Sequence, residues 1–140
     1  MTEWAVNCPF HFAASEGDLR SVRQYMEERK NKPEEKDELY KNTPLHYAAQ
    51  GGHLPVVIYL VKEQKANINS VNMYGDTPLH CAAWWGRAHV VEWLLQNGAD
   101  CRQKNAVMKS SFDWILEKDA KHNDFKQCVL LLEGTSAARA

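Results

Sequence analysis

The sequence has no excess of charge of either sign and no long apolar run. Its 140 residues contain 17 lysines and arginines against 18 aspartates and glutamates, a formal net charge of −1. This balance gives no broad positive surface for phosphates, so we expect no nucleic acid partner. No stretch approaches the roughly 18 uninterrupted apolar residues of a membrane-spanning helix, so we expect no membrane partner. The length suits one domain with a buried core.

Cysteine is scarce, and its four copies are widely scattered. Cys8, Cys81, Cys101 and Cys128 form no C-x-x-C pair, so their spacing indicates neither a disulfide framework nor a zinc site. Residues 1–12 lack the basic start and apolar middle of a secretory signal. We therefore expect reduced, buried thiols and a reducing compartment, with the cytoplasm favoured and the nucleus also possible.

The motifs that usually carry catalysis or hold a cofactor are missing. The sequence has no glycine-rich phosphate loop, no H-E-x-x-H and no G-x-S-x-G. We expect a protein without enzyme activity, without a cofactor and without a metal site. One chemical alternative stays open, a thiol-dependent enzyme or redox sensor that uses Cys81 beside His80.

What the sequence does contain is an internal repeat. Residues 43–49 read T-P-L-H-Y-A-A and return at residues 77–83 as T-P-L-H-C-A-A, and fainter copies begin at Cys8 and Ser110. The steps between the four starts are 35, 34 and 33 residues. A period of this size indicates stacked units, each of which buries its apolar face against the next.

Each copy of the motif predicts the start of a helix. Thr43 and Thr77 are good N-caps, and the proline after each occupies the first helical position, where a missing N–H costs nothing. The small alanines of the motif allow a second helix to approach closely. A second apolar pattern, V-V-x-x-L at residues 56–60 and 90–94, predicts that second helix.

These motifs resemble the ankyrin repeat, whose signature at this period is T-P-L-H-x-A. The resemblance covers about residues 8–133 and implies an all-α ankyrin-repeat solenoid of four helix-turn-helix units with projecting β-hairpin loops. It also implies that three equivalent histidines, His11, His46 and His80, bond the backbone between repeats. We assign a single domain to residues 1–133 and a flexible C-terminal tail to residues 134–140. The repeats fall at about 4–38, 39–72, 73–105 and 106–133.

The end repeats depart from the family pattern, as capping repeats do. The first copy begins at Cys8 in place of threonine, and Asn7 is a candidate cap for its helix. In the last copy Asp113 stands at the histidine position, where a carboxylate suits a helix start. Residues 118–123 predict a polar loop before a second helix near residues 124–132.

Two loop features leave alternatives open. Residues 27–42 contain two extra residues and the run E-E-K-D-E at 34–38, which we interpret as a solvated loop, with an acidic docking site as the alternative. Asn69 matches the hairpin asparagine that is hydroxylated in some ankyrin proteins. Its ordinary role would be a hydrogen bond within the turn.

The resemblance implies that recognition takes place on the concave side, at the loop tips and the ends of the first helices. Trp84 and Trp85 stand at such a helix end, and we predict that they anchor an aromatic strip, because interfaces favour exposed aromatic clusters. The alternative is that one of them merely fills a gap. The predicted partner-binding residues are Trp84, Trp85, Tyr74, Met73, Tyr40, Asp76, Asn42, Gln50, Val107 and Lys109, with Lys118 as a further polar position.

The predicted function is therefore a non-enzymatic protein–protein interaction module, an adaptor, scaffold or inhibitor that binds another protein through its concave aromatic groove. We expect a monomer in preference to a homo-oligomer. The alternative is a structural assembly subunit or self-associating protein in which the same strip is buried.

Overall fold

A computed structural model of the chain describes the backbone of residues 3–122 and the side chains of these residues apart from 3, 5 and 118–122. The architecture is a succession of short helices joined by tight turns and projecting loops. In chain order the helices are α1 (Glu3–Asn7), α2 (Pro9–Glu16), α3 (Leu19–Glu27), α4 (Pro44–Gly51), α5 (Leu54–Ile58, continued by a π-helical turn over Tyr59–Glu63), α6 (Pro78–Trp84), α7 (Ala88–Gln96) and α8 (Ser111–His122).

The helices form two stacked rows. The first helices α2, α4, α6 and α8 pack one on the next, and the second helices α3, α5 and α7 pack in the same order beside them. Within residues 3–122 no strand forms, and the loops are turns with an isolated antiparallel bridge between Lys104 and Ser110. The solenoid is therefore all-α, and its predicted hairpins are realised as turns with little strand pairing.

The core lies between the two rows and is built from the repeated apolar positions. Ala48, Ala49, Ala82 and Ala83 are completely buried, and their small side chains let α4 and α6 pack closely. The V-V-x-x-L pattern supplies the opposing side of the core, because all its apolar positions are buried in both repeats. The two predicted apolar faces thus meet in one continuous core.

The two complete motifs start their helices through a reciprocal capping box. The Thr43 N–H donates to Nδ1 of His46 at 3.1 Å, and the His46 N–H donates to the Thr43 hydroxyl at 3.4 Å. Thr77 and His80 repeat the arrangement at 3.0 and 3.2 Å. The predicted threonine caps are confirmed, and the motif histidine completes each of them.

The same histidines join consecutive repeats, as the family resemblance implied. Since Nδ1 of His46 accepts the Thr43 N–H, its Nε2 carries the proton and is a donor. In the first three repeats Nε2 lies within hydrogen-bond distance of a carbonyl oxygen in a following loop: His11 with Glu35 (2.8 Å), His46 with Asp76 (2.8 Å) and His80 with Lys109 (3.0 Å). The structural role of the three histidines is confirmed.

A second inter-repeat contact occurs at the start of two of the second helices, α5 and α7, where no role had been predicted. His53 donates from Nε2 to the carbonyl oxygen of Ser15 at 2.8 Å, and Arg87, 34 residues later, donates from Nε to that of Gln50 at 2.9 Å. Gly17 lies against the His53 ring with φ +73°, so a side chain there would meet both strain and a clash. These donors tie the end of one first helix to the next repeat.

The extra residue of the second repeat and one of the two extra residues of the first repeat have a structural cause. In the second repeat the extra residue forms the π-helical turn, in which the Gln64 N–H donates to the Tyr59 carbonyl, five residues back. In the first repeat, the turn closed between Asp37 and Asn42 is one residue longer than the matching turn of the second repeat. Neither insertion shifts the capping motif that follows.

The acidic run at 34–38 is exposed at Glu34, Lys36 and Glu38, as a solvated loop would be, but Asp37 is buried and its carboxylate is not available to a docking partner. One Asp37 oxygen accepts the backbone N–H groups of Tyr40 (3.2 Å) and Asn42 (2.9 Å), and the other accepts the hydroxyl of Tyr47. Glu34 accepts the Asn67 N–H at 2.6 Å from the next repeat. Both carboxylates thus hold the loop in place.

The ends differ from the sequence prediction in two places. Asn7 is the last residue of α1 and does not cap α2, whose N-cap Cys8 makes no side-chain capping bond. Residues 118–122 continue α8, so the predicted polar loop is helical up to His122. The predicted second helix near 124–132 and the tail at 134–140 lie outside the described residues.

Asp113 preserves the capping box without the histidine. Its carboxylate accepts the Ser110 N–H at 2.9 Å, and its own N–H donates to the Ser110 hydroxyl at 3.1 Å. The bond from the Ser110 backbone lowers the pKa of the Asp113 carboxyl below its usual range. The fourth motif therefore starts a helix by the same geometry as the second and third.

Candidate protein-binding groove

A groove of about 370 Å³ opens between the end of α6, the neighbouring loops and α8. Seven predicted partner-binding residues line it: Tyr40, Asn42, Gln50, Tyr74, Asp76, Trp84 and Trp85. Four further residues that were not assigned to the binding set also line it: Asn72, His80, Cys81 and Trp114. We call this space the aromatic groove.

Trp84 and Trp85 lie in the aromatic groove with about half of their surface exposed. Their exposed fractions are 51% and 53%. Trp84 also packs against Trp114, with ring centroids 5.1 Å apart, and Trp114 meets the His80 ring edge to face at 5.3 Å. Contact with Trp114 thus orients Trp84 and leaves about half of its surface exposed.

Trp114 was not among the predicted partner-binding residues, and no sequence signal separated it from the other tryptophans. Its position follows from α8 packing beside α6. Residues 30 positions apart in the chain thereby share one aromatic cluster, which no local pattern reveals.

Tyr40 and Tyr74 form the loop side of the aromatic groove. Their ring centroids are 6.2 Å apart, and their exposed fractions are 40% and 51%. The Met73 N–H donates to the Tyr40 carbonyl, and the Ala106 N–H donates to the Tyr74 carbonyl, both at 2.9 Å. Successive loop tips are thereby joined by backbone hydrogen bonds, which fix the spacing of the two tyrosines.

A polar side chain at the base of each loop shapes its turn. Asn72 accepts the N–H groups of Tyr74 (2.9 Å) and Asp76 (3.0 Å) through its amide oxygen. Asn105 and Asp37 accept loop N–H groups in the same way. The sequence contained a signal for this turn-shaping role, because Asp37, Asn72 and Asn105 each stand five or six residues before the next capping motif.

Two of the predicted polar contacts also serve the fold. Asn42 is only 5% exposed, and its amide oxygen accepts a hydrogen bond from Asn72 Nδ2 at 2.9 Å, so we remove Asn42 from the residues that contact a partner. Asp76 accepts Asn105 Nδ2 through one carboxylate oxygen at 2.9 Å. A carboxylate has room for several donors, so Asp76 keeps capacity to bind a partner.

The other predicted residues are not among those that line the aromatic groove. Met73 and Val107 are exposed on loop tips, with exposed fractions of 57% and 70%, and Lys109 is exposed on the third loop. Lys118 lies in α8, and its side chain is outside the described set.

The Cys81 thiol and the His80 imidazole, which both line the groove, are poorly suited to nucleophilic chemistry. Burial, with a contribution from the charge of Asp76, raises the pKa of the Cys81 thiol well above its usual range. A reactive cysteine needs the opposite shift. Both ring nitrogens of His80 are occupied, Nδ1 by Thr77 and Nε2 by the Lys109 carbonyl.

The described residues offer neither a metal-binding cluster nor a membrane-spanning helix. Among the side chains that the structure describes, no group of three or more histidines, cysteines or carboxylates is arranged to hold a metal ion. In the described part of the chain, no helix is both long enough and apolar enough to cross a membrane.

Comparison with known proteins agrees with the repeat geometry. Residues 10–105 match the family described as ankyrin repeats in three copies. The human protein named Ankyrin repeat domain-containing protein 7 is 41% identical over 54 residues, which are 39% of this chain and 21% of that protein. The chain thus matches about a fifth of the length of this relative. The match, the stacked helix pairs and the repeated capping boxes show that the chain belongs to the ankyrin repeat family, whose repeats are generally protein–protein interaction modules.

Proposed function

We propose that this protein is a non-enzymatic adaptor, scaffold or inhibitor that binds a segment of another protein in the aromatic groove, on the concave side of the solenoid. The observation that carries this proposal is the half-exposure of two adjacent tryptophans, Trp84 and Trp85, in one groove. Ankyrin repeats are generally interaction modules, but the family does not specify which surface binds.

The energy available from these side chains supports their role as anchors. Covering one large aromatic side chain with a partner contributes on the order of 2 kcal/mol to the free energy of binding, and this stabilisation is absent in the free monomer. Among the described residues, neither Trp84 nor Trp85 belongs to the buried core cluster or to the partly buried residues packed against it. Binding hot spots typically combine such aromatic anchors with a polar rim.

The surrounding residues suit the flanking parts of an interface. Tyr40 and Tyr74 extend the aromatic surface along the loops, with Met73 and Val107 at the tips. Gln50, Asp76 and Lys109 supply polar groups for specificity. We propose a monomer in the cytoplasm or nucleus, and the free thiols of Cys8, Cys81 and Cys101 are consistent with such a reducing compartment.

A peptide selection tests the proposal. A library of displayed random peptides is selected in parallel on the wild-type protein and on the double variant Trp84→Ala, Trp85→Ala. We expect peptides that the wild type retains and the double variant does not. Circular dichroism should show the same helix content for both proteins and nearly the same melting temperature, because both indoles project from the core.

Two results would contradict the proposal. Identical peptides from both selections, or none from either, would remove the aromatic groove as the binding surface. A large loss of stability in the double variant would place the tryptophans in the core. Light scattering of the wild type provides a further control, since a mass that rises with concentration would assign the groove to self-association.

A further inference from the structure

The aromatic groove is apolar, and its electrostatic character further restricts which groups it can bind. The lining includes two tyrosines and three tryptophans. Four of these residues, Tyr40, Tyr74, Trp84 and Trp85, keep 40% or more of their surface exposed. An aromatic face carries negative electrostatic potential and attracts a cation within about 6 Å of the ring centroid.

The charge in the groove has the same sign as the ring faces. Among the described residues that line it, Asp76 has the one charged side chain, and no lysine or arginine contributes to the lining. The charge of Asp76 also helps to raise the pKa of the Cys81 thiol, so the carboxylate acts on the groove interior. Arg87, which follows closely on Trp85, donates to the Gln50 carbonyl at 2.9 Å and does not line the groove.

Any occupant that seals the groove takes Asp76 away from water. One oxygen of this carboxylate is bound by Asn105 Nδ2, and a single amide donor does not neutralise a charge. Burying a charge without a counter-charge is costly, and an anionic occupant would add repulsion. A cationic occupant compensates the carboxylate and gains the attraction of the ring faces.

We propose that the occupant is an arginine side chain on an extended segment of the partner protein, an inference that rests on the proposed function. Its guanidinium would stack on the Trp84 and Trp85 indoles and be directed toward Asp76. Arginine fits better than lysine because its planar guanidinium stacks on aromatic faces and presents several donors at once. It also sheds water more readily than a lysine ammonium.

The test compares two synthetic peptide libraries that differ in one group. Nine-residue peptides carry arginine at the central position in one library and citrulline, its neutral near-isostere, in the other, with identical random flanks. We expect the arginine library to bind the wild-type protein about tenfold more tightly on average. A third library with central lysine should fall between them.

Matched variants connect the preference to Asp76. Asp76→Asn keeps an acceptor for Asn105 and leaves the backbone carbonyl that His46 contacts, so the fold should persist while the arginine preference falls to about threefold or less. Asp100→Asn, an exposed carboxylate outside the groove lining, should keep the full preference. Circular dichroism confirms that both variants are folded.

The outcomes separate this inference from the proposed function. Equal binding of arginine and citrulline peptides, or an unchanged preference in Asp76→Asn, would overturn the arginine assignment. If the displayed-peptide selection still depends on Trp84 and Trp85 in that case, the aromatic groove remains the binding surface with a neutral occupant. Binding of neither library would overturn the arginine assignment, and failure of the displayed selection as well would remove the groove.

Discussion

The Nε2 atom of His46 lies 2.8 Å from the carbonyl oxygen of Asp76, whose carboxylate lines the aromatic groove. One residue thus connects the stacking of the second and third repeats to the candidate binding surface. The loop that presents Asp76 is held from behind by the imidazole of the preceding repeat. Such support from a buried, hydrogen-bonded residue keeps a binding loop in one geometry before a partner arrives.

The stability of the protein should depend on pH through His46. Burial lowers the pKa of this histidine to about 4, whereas an unfolded chain takes up the proton near 6.5. Between these values the unfolded state binds more protons, so stability is fully present above pH 6.5 and is lost as the pH falls toward 4. The full loss from this residue is about 3 kcal/mol.

Urea unfolding at pH 7 and pH 5 measures the effect. His46→Gln should lower stability at pH 7 and flatten the pH dependence relative to the wild type. The carboxyls of Asp18 and Asp113 have lowered pKa values, so they titrate below this pH window, and both groups are present in the two proteins compared. An unchanged slope in the variant would show that His46 does not carry the dependence.

The buried member of the acidic run should matter for stability, and its exposed neighbour should not. Asp37→Ala leaves the Tyr47 hydroxyl and two backbone N–H groups without their acceptor, and each stranded buried group costs about 1–3 kcal/mol. We expect a loss of at least about 2 kcal/mol by urea unfolding. Glu38→Ala, an exposed position one residue later, should stay within about 0.5 kcal/mol of the wild type.

Two glycines with the same backbone conformation should respond differently to alanine. Gly17 and Gly86 have φ of +73° and +72°, but an added Cβ at Gly17 would lie 2.5 Å from the His53 ring, whereas at Gly86 nothing lies within 4 Å. Gly86→Ala should cost about 1 kcal/mol from its backbone alone. Gly17→Ala should cost about 1 kcal/mol more, because His53 must leave the Ser15 carbonyl.

A double-mutant cycle checks the cause of that difference. In a His53→Ala background, the extra cost of Gly17→Ala should disappear, since the clash and the hydrogen bond are already absent. Thermal or urea unfolding of the four proteins provides the measurement. An extra cost that persists would mean that the first repeat is strained elsewhere.

Cys81 should react slowly in the folded protein. Burial raises the pKa of its thiol, so little thiolate is present near neutral pH, and the thiolate is the reactive form. Iodoacetamide at pH 7.5 followed by mass spectrometry should show slow labelling of Cys81 in buffer and fast labelling in urea. Rapid labelling of the native protein would revive the interpretation as a reactive thiol.

The sequence by itself determined the period, the threonine N-caps and the helix pairs. A capping threonine acts on N–H groups three residues away, and the apolar positions of a helix recur at short spacing, so these features are local. The histidine contacts between repeats followed from the family resemblance. The exposure expected for Trp84 and Trp85 also agrees with their place at the end of α6.

Only the tertiary structure decided which polar groups are buried and which aromatic rings meet. Asp37 and Asn42 look like surface residues in the chain, yet they are buried because Tyr47 and the next loop supply their partners. Trp114 reaches Trp84 because α8 packs beside α6. Such contacts join residues distant in sequence, and their burial depends on the position of neighbouring repeats, which no local pattern encodes.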